Sequence, residues 1–259
     1  METAAGTHWR ESLAAWAIPQ EILDQAPENP WIHPPVMFQL PEKIEDSISH
    51  QRAREAMPTG GTFLDIGCGG GIAAFAVTPP AAHLIGVDHQ VEMLDMFAEN
   101  ARSRSVTSQV FEGFWPAIAD LVPTADVAAA HHVVYNVPQI EDFLLAMNSR
   151  ATKRVVLEMP QRHPLTTATA LWKHFWNLDR PTEPTPSGLI MVLQELGIKA
   201  NLELWDGSMR SEPDLDAQAH FSRIRLCLPE AREGEVLEFL KQEPKVAIRN
   251  LATIWWDIE

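Results

Sequence analysis

The feature that most limits what this chain can fold into is the run Phe63-Leu64-Asp65-Ile66-Gly67-Cys68-Gly69-Gly70-Gly71 and the pattern that follows it. A short apolar run with strand character, residues 62–66, breaks into glycines, which turn sharply and leave no Cβ in the way of a ligand. Short apolar runs then alternate with helical patterns: strands are predicted at 83–88, 108–111, 126–130 and 154–159, with helices such as 91–104 and 139–149 between them. Strands alternating with helices make a parallel sheet covered on both faces. Beyond Met159 the pattern predicts a helix near 165–177, a Pro-rich link at 181–186 and a helix near 189–196. Three more strand candidates follow, 199–205, 221–228 and 251–258, with a helix at 233–241 between the last two. Which pair forms the final antiparallel edge is left open by the sequence.

With 259 residues the chain suits one full-sized domain with appendages. Residues 51–259 are expected to form that domain and residues 1–50 an N-terminal cap or lid. Trp9, Leu13, Trp16 and Ile18 suggest one apolar helical face before Pro19, and a helix is predicted over 44–57, ahead of Pro58-Thr59-Gly60-Gly61. Five prolines between Pro27 and Pro41, with Trp31 among them, read as an extended segment wrapped on something larger.

Charge and cysteines narrow the setting. With 35 acidic against 20 basic side chains the net charge is −15, which repels nucleic-acid phosphates and anionic lipid surfaces. No nucleic acid and no membrane are therefore expected as partners, and the chain is expected to be a monomer or homodimer. Cys68 and Cys227 cannot build a disulfide framework, no cysteine spacing suits a metal, and the start lacks a secretory pattern, so a cytoplasmic location is expected. Residues 66–87 carry no charged side chain, yet the glycine triplet and Pro79-Pro80 interrupt them too often for a membrane span.

The turn itself discriminates between nucleotides. Asp88 closes the next predicted strand, where a carboxylate accepts hydrogen bonds from both hydroxyls of a ribose. The dinucleotide pattern G-x-G-x-x-G/A, read from Gly67, requires Gly or Ala where Ile72 stands, and no Lys follows the glycines to complete a P-loop. What remains is D-x-G-x-G-x-G, met by Asp65, Gly67, Gly69 and Gly71. Together with Gly86-Val87-Asp88 and the segment 126–137, this resembles the class I S-adenosylmethionine-dependent methyltransferases over roughly residues 60 to 160.

The resemblance implies a Rossmann-like α/β fold: a mostly parallel seven-stranded sheet, helices on both faces and an N-terminal helical cap. It implies S-adenosyl-L-methionine as cofactor and S-adenosyl-L-homocysteine as product. Asp65 and the backbone of Gly67, Cys68, Gly69 and Gly71 would hold the amino-acid part, and Asp88 the ribose. His89 and Met93 either flank the adenine or serve as ordinary helix-start and core residues. The third strand departs from the family: an Asp is common soon after it, but here the run is Phe111-Glu112-Gly113-Phe114-Trp115. Either Glu112 substitutes, or Phe114 and Trp115 stack on the adenine while a backbone group reads its amino group, with Gly113 also counted among the cofactor-binding residues.

In such sheets ligands lie outside the carboxyl ends of the strands. The fourth strand ends in His131-His132-Val133-Val134-Tyr135-Asn136-Val137 and the fifth in Glu158-Met159-Pro160-Gln161-Arg162-His163. Methyl transfer from a sulfonium is an in-line displacement, so the protein positions the acceptor and, where needed, removes its proton. His131 or His132 is the first candidate for that base, with His131 also beside the cofactor, and His163 the second; Tyr135 and Glu158 are the reserve. The run differs from the N/D-P-P-Y/F motif of enzymes that methylate amino groups of DNA bases or of protein glutamine. Trp172, His174, Phe175 and Trp176 belong to a helix that either completes an acceptor pocket or packs the core. The expected function is methyl transfer to a small molecule, most plausibly at oxygen. The rivals are an RNA or protein methyltransferase and a non-catalytic S-adenosylmethionine-binding regulator.

Overall fold

The computed structural model describes residues 2–31, 39–208, 214–243 and 248–259. Seven strands form one sheet in the order β3-β2-β1-β4-β5-β7-β6. They are β1 (Thr62–Ile66), β2 (His83–Asp88), β3 (Thr107–Glu112), β4 (Ala125–His131), β5 (Ala151–Pro160), β6 (Asn201–Ser208) and β7 (Ile248–Asp257). The first five run parallel. β7 inserts antiparallel between β5 and β6, which resolves the open question of the edge: β7 pairs antiparallel with both.

Ten helices connect and cover the strands among the described residues: α1 (Ala4–Ala14), α2 (Gln20–Leu23), α3 (Ile48–Ala56), α4 (Ile72–Ala76), α5 (Val91–Ser103), α6 (Ile140–Arg150), α7 (Thr169–Trp176), α8 (Pro186–Glu195), α9 (Leu215–Arg225) and α10 (Glu233–Gln242). Side chains alternate across each strand, so each strand feeds two cores. Leu64, Ile66, Ala128, Ala130, Val155 and Leu157 face one core with α1, α6 and α8; Phe63, Val127, Ala129 and Val156 face the other with α3, α4 and α5. A third apolar cluster joins Ile18 and Ile22 to Leu171, Trp172, Ala219 and Val236, tying α2 to α7, α9 and α10. The N-terminal residues enter two of these cores, because Trp9 is buried against α8 and donates its indole N–H to Val137 O at 3.0 Å.

Two expectations change. Residues 221–228 are not a strand: they are the end of α9 and the turn after it. Apolar residues at 224, 226 and 228 imitate a period of two, yet Asp214 caps a helix by accepting from Ala217 N at 2.8 Å. Its buried residues Ala219, Arg223 and Ile224 follow helical spacing, and Arg223 pairs with Glu28 and Glu233. The predicted helix over 44–57 shortens to α3, because Ser47 caps it. The extended segment expected between Pro27 and Pro41 lies outside the described residues at 32–38.

Candidate functional site

The carboxyl ends of β1, β2, β4 and β5 converge on one rim. Gly67 leaves β1 with φ +69°, a left-handed conformation that favours glycine, and a Cβ there would lie 2.5 Å from Val133 Cγ2 just past β4. Gly71 turns the chain into α4 at φ +93°, where a Cβ would strike Phe75 and Phe97. Asn100 braces the loop by donating to Gly70 O at 2.9 Å. Asp65 is buried beneath it and accepts from Ala74 N at 3.3 Å. Burial pushes its pKa up to about 8, against that hydrogen bond, and the nearby charge of Asp88 adds to the rise. Burial likewise lifts the Cys68 thiol well above its usual range.

Asp88 ends β2 opposite Glu112 of β3. Its carboxylate accepts from Gly69 N at 3.1 Å and from Gln90 N at 3.0 Å, and His89 Nδ1 stands 3.5 Å away. These contacts lock the aspartate between the glycine loop and the start of α5. His89 stacks on Phe114, ring centroids 4.7 Å apart at 23°, and Phe114 is 69% exposed. Gly113 N donates to Asp88 O at 2.9 Å, while Trp115 turns inward and donates its indole N–H to Phe143 O at 3.2 Å. Met93 is buried but belongs to neither sheet core. Glu112 is exposed.

At the other half of the rim, cross-strand register sets His131 beside Glu158, and Glu158 beside Thr253 of β7. His131 extends the row of Val127 and Ala129 and stacks on His50 of α3, centroids 5.4 Å apart. Burial drives its pKa down to about 3 despite the charge of Glu158. His132 steps out of the strand at φ +61° and places Nε2 3.1 Å from Glu158 Oε1, at ion-pair distance without hydrogen-bond alignment. Burial opposes the ionised form of Glu158, but the imidazoles of His131, His132 and His50 hold it well below the usual carboxylate range.

His163 is engaged differently. Its Nδ1 accepts from Leu165 N at 3.3 Å, and its ring bonds the backbone of Tyr135. It also stacks on Trp16 at 4.4 Å and meets Tyr135 edge-on at 5.6 Å. Burial lowers its pKa to about 4. Tyr135 lies between His132 and His163, with the His132 centroid 6.5 Å away. The aromatic helix α7 divides its roles: Trp172 is buried in the third cluster, Trp176 donates to Leu226 O at 2.8 Å, and His174 packs on Phe175 and Phe239. His50 is the site residue that sequence reasoning did not single out. Its signal lies in Ser47-Ile48-Ser49-His50, a helix start whose third turn position carries a ring. Among the described residues no group of three or more His, Cys, Asp or Glu is arranged to hold a metal, and no helix is long and apolar enough to cross a membrane.

A glycine turn after β1, an acid closing β2 and this strand order are shared with the fold of the class I S-adenosylmethionine-dependent methyltransferases. Residues 64–154 match the family model described as methyltransferase domain, so the chain carries that domain from β1 into β5. Among curated proteins none matches the sequence. Solved structures resemble the fold at low identity. YcgJ of Bacillus subtilis is 15% identical with a TM-score of 0.55, covering 82% of this chain and 97% of its own. Magnesium protoporphyrin IX methyltransferase of Synechocystis PCC 6803, solved with bound S-adenosylhomocysteine, is 12% identical with a TM-score of 0.50, covering 85% and 91%. Coclaurine N-methyltransferase, bound to N-methylheliamine and S-adenosylhomocysteine, is 14% identical with a TM-score of 0.51, covering 97% and 86%.

Proposed function

We propose that this chain binds S-adenosylmethionine across the β1–β2 rim and transfers its methyl group to a small molecule, at oxygen. The observation that carries the reading is the Asp88 carboxylate, buried at the end of β2 and held by Gly69 N and Gln90 N beside a loop in which Gly67, Gly69 and Gly71 sit at positive φ. Such a carboxylate is oriented in advance for a pair of ribose hydroxyls. Asp65 and the 67–71 backbone suit the amino-acid end, and the His89–Phe114 pair offers an aromatic face for the adenine. Trp115 is already committed to Phe143, so Phe114 is the better stacking partner.

The bound cofactor supplies an electrophilic methyl on a sulfonium; the chain supplies position and a proton sink. His132 is the base we favour. With its Nε2 turned to ionised Glu158, its Nδ1 is left to take the acceptor's proton, and catalytic contacts in ligand-free enzymes are often poorly aligned until substrate binds. A ring held neutral down to about pH 3, as His131 is, makes a weak base at neutral pH. His163 has its nitrogens engaged in backbone contacts and serves to hold Trp16 and Tyr135. The −15 net charge favours a small acceptor over RNA. The division into a 1–50 cap and a 51–259 catalytic domain, and a cytoplasmic setting, go with this reading.

The test is an acceptor screen with methyl-labelled cofactor, read in small molecules, RNA and protein in parallel. Label in small molecules at oxygen is expected. Label mainly in RNA or protein overturns the acceptor assignment, and cofactor binding with no transfer to any acceptor supports the regulatory alternative.

A further inference from the structure

We propose that His50, His131, His132 and Glu158 form the anchoring site for the acceptor, and that this site selects a neutral, flat molecule through a hydroxyl group. The inference rests on the methyl-transfer reading above and names the substrate class for it.

Three side-chain atoms here are shut off from solvent without a partner: His50 Nε2, His131 Nε2 and Glu158 Oε2, while His132 Nε2 faces Glu158 Oε1 at 3.1 Å. Buried polar atoms are nearly always satisfied, so three orphans on one patch point to a bound group that satisfies them. The patch is built rather than accidental. Ser49 Oγ lies 2.6 Å from Thr253 Oγ1, fastening α3 to β7, and Trp205 Nε1 donates to the same Thr253 oxygen at 2.9 Å. The Ser47 cap then sets His50 over His131, and β4–β5 register sets His131 beside Glu158.

Chemistry narrows the occupant. The ionised Glu158 repels a carboxylate or phosphate, and its free Oε2 calls for a donor. His50 Nδ1 lies between a fixed donor, Ser47 N at 3.2 Å, and a fixed acceptor, Glu45 O at 3.0 Å. Either tautomer satisfies one of them, so Nε2 can present a proton or a lone pair. A hydroxyl meets both demands at once, donating its single proton to Glu158 Oε2 and accepting from an imidazole Nε2–H, whereas an ammonium only donates. Next to the patch, Tyr135 and the Trp16–His163 stack supply an aromatic wall suited to a flat ring.

The test uses the full chain, labelled with ¹⁵N, in imidazole-nitrogen NMR spectra with and without S-adenosylhomocysteine. Catechol, benzylamine and benzoate are the probes: one ring with neutral hydroxyls, a cation or an anion. Catechol is expected to shift the Nε2 signals of His50 and His131, benzoate to leave them unmoved and benzylamine to act more weakly than catechol. His50→Phe keeps a ring on His131 but removes the nitrogens, and should weaken catechol about tenfold, the loss of one hydrogen bond at 1.4 kcal/mol per decade. Glu158→Gln should weaken catechol and admit benzoate. Unchanged affinity for S-adenosylhomocysteine in both variants shows that the fold is kept. Nε2 signals that ignore catechol, or respond as strongly to benzoate or benzylamine, overturn the proposal. Loss of S-adenosylhomocysteine binding by the wild-type chain overturns the cofactor reading instead.

Discussion

At the scale of single residues, the site works by removing freedom from a few groups. Gly67 has no room for a methyl group because Val133 Cγ2 stands 2.5 Å from where the Cβ would be, at a φ of +69°. Gly67→Ala should therefore destabilise the chain by about 1 to 3 kcal/mol from crowding, with backbone strain added, in chemical denaturation. Phe114→Ala should weaken S-adenosylhomocysteine by about 1 kcal/mol while leaving the melting temperature nearly unchanged, since the ring is mostly exposed. Trp115→Ala should do the reverse, lowering stability because its indole is tied to Phe143 O. If Trp115→Ala alone impairs binding, the assignment of the adenine face is wrong.

Buried ionisable groups at the same scale set the pH dependence. Asp65 moves from 3.8 to about 8 on folding, so the folded state holds a proton the unfolded state has released, and stability falls as pH rises between those values. His131 and His163 act oppositely: their folded values, about 3 and about 4, lie below 6.5, so their contribution is gained as pH rises and is complete above about 6.5. Between pH 6.5 and 8 only the Asp65 slope is left among these three. The melting temperature of the ligand-free chain should fall across that window, and Asp65→Asn should flatten the fall. A wild-type curve with no fall between pH 6.5 and 8 contradicts the buried-acid account.

Among elements, an aromatic latch joins the N-terminal helices to the rim beside the Trp9–Val137 hydrogen bond. Trp16 stacks on His163 and donates its indole N–H to Glu183 O at 2.5 Å; Arg180 lies over both Trp16 and Trp172, 5.2 Å from each ring, and donates to Trp16 O. Trp16→Ala should cost about 3 to 5 kcal/mol and speed hydrogen exchange in α1 and α2 before the sheet. Sequence patterns revealed all seven strands and most helices because their apolar periods are clean. They failed at α9, where Leu226 and Leu228 of the following turn extend the apolar spacing beyond the helix. The helix is instead specified by its Asp214 cap and by Arg223, whose partners Glu28 and Glu233 are remote in sequence. A local window does not contain such partners.

For the whole molecule, the parallel sheet and the proposed cofactor end of the site were legible because both are written locally: the glycine loop, Asp65 and Asp88 lie on consecutive strands. The proposed acceptor end was not. His131 and Glu158 were visible as strand-end residues, but their meeting depends on β4–β5 register, and His50 arrives from α3 through a contact with β7. His163 was likewise visible only as a residue just past β5, while the backbone contacts of its ring appear only in the fold.

The central claim is that the β1–β2 rim is a nucleoside site organised by Asp88. Calorimetric titration of S-adenosylhomocysteine into the wild-type chain and into Asp88→Ala tests it most directly. One site per chain is expected in the wild type, with affinity reduced in the variant by about 1.5 to 3 kcal/mol, the worth of a charge-assisted hydrogen bond. Equal affinity in the two proteins, or no binding heat in the wild type at several temperatures, would contradict it.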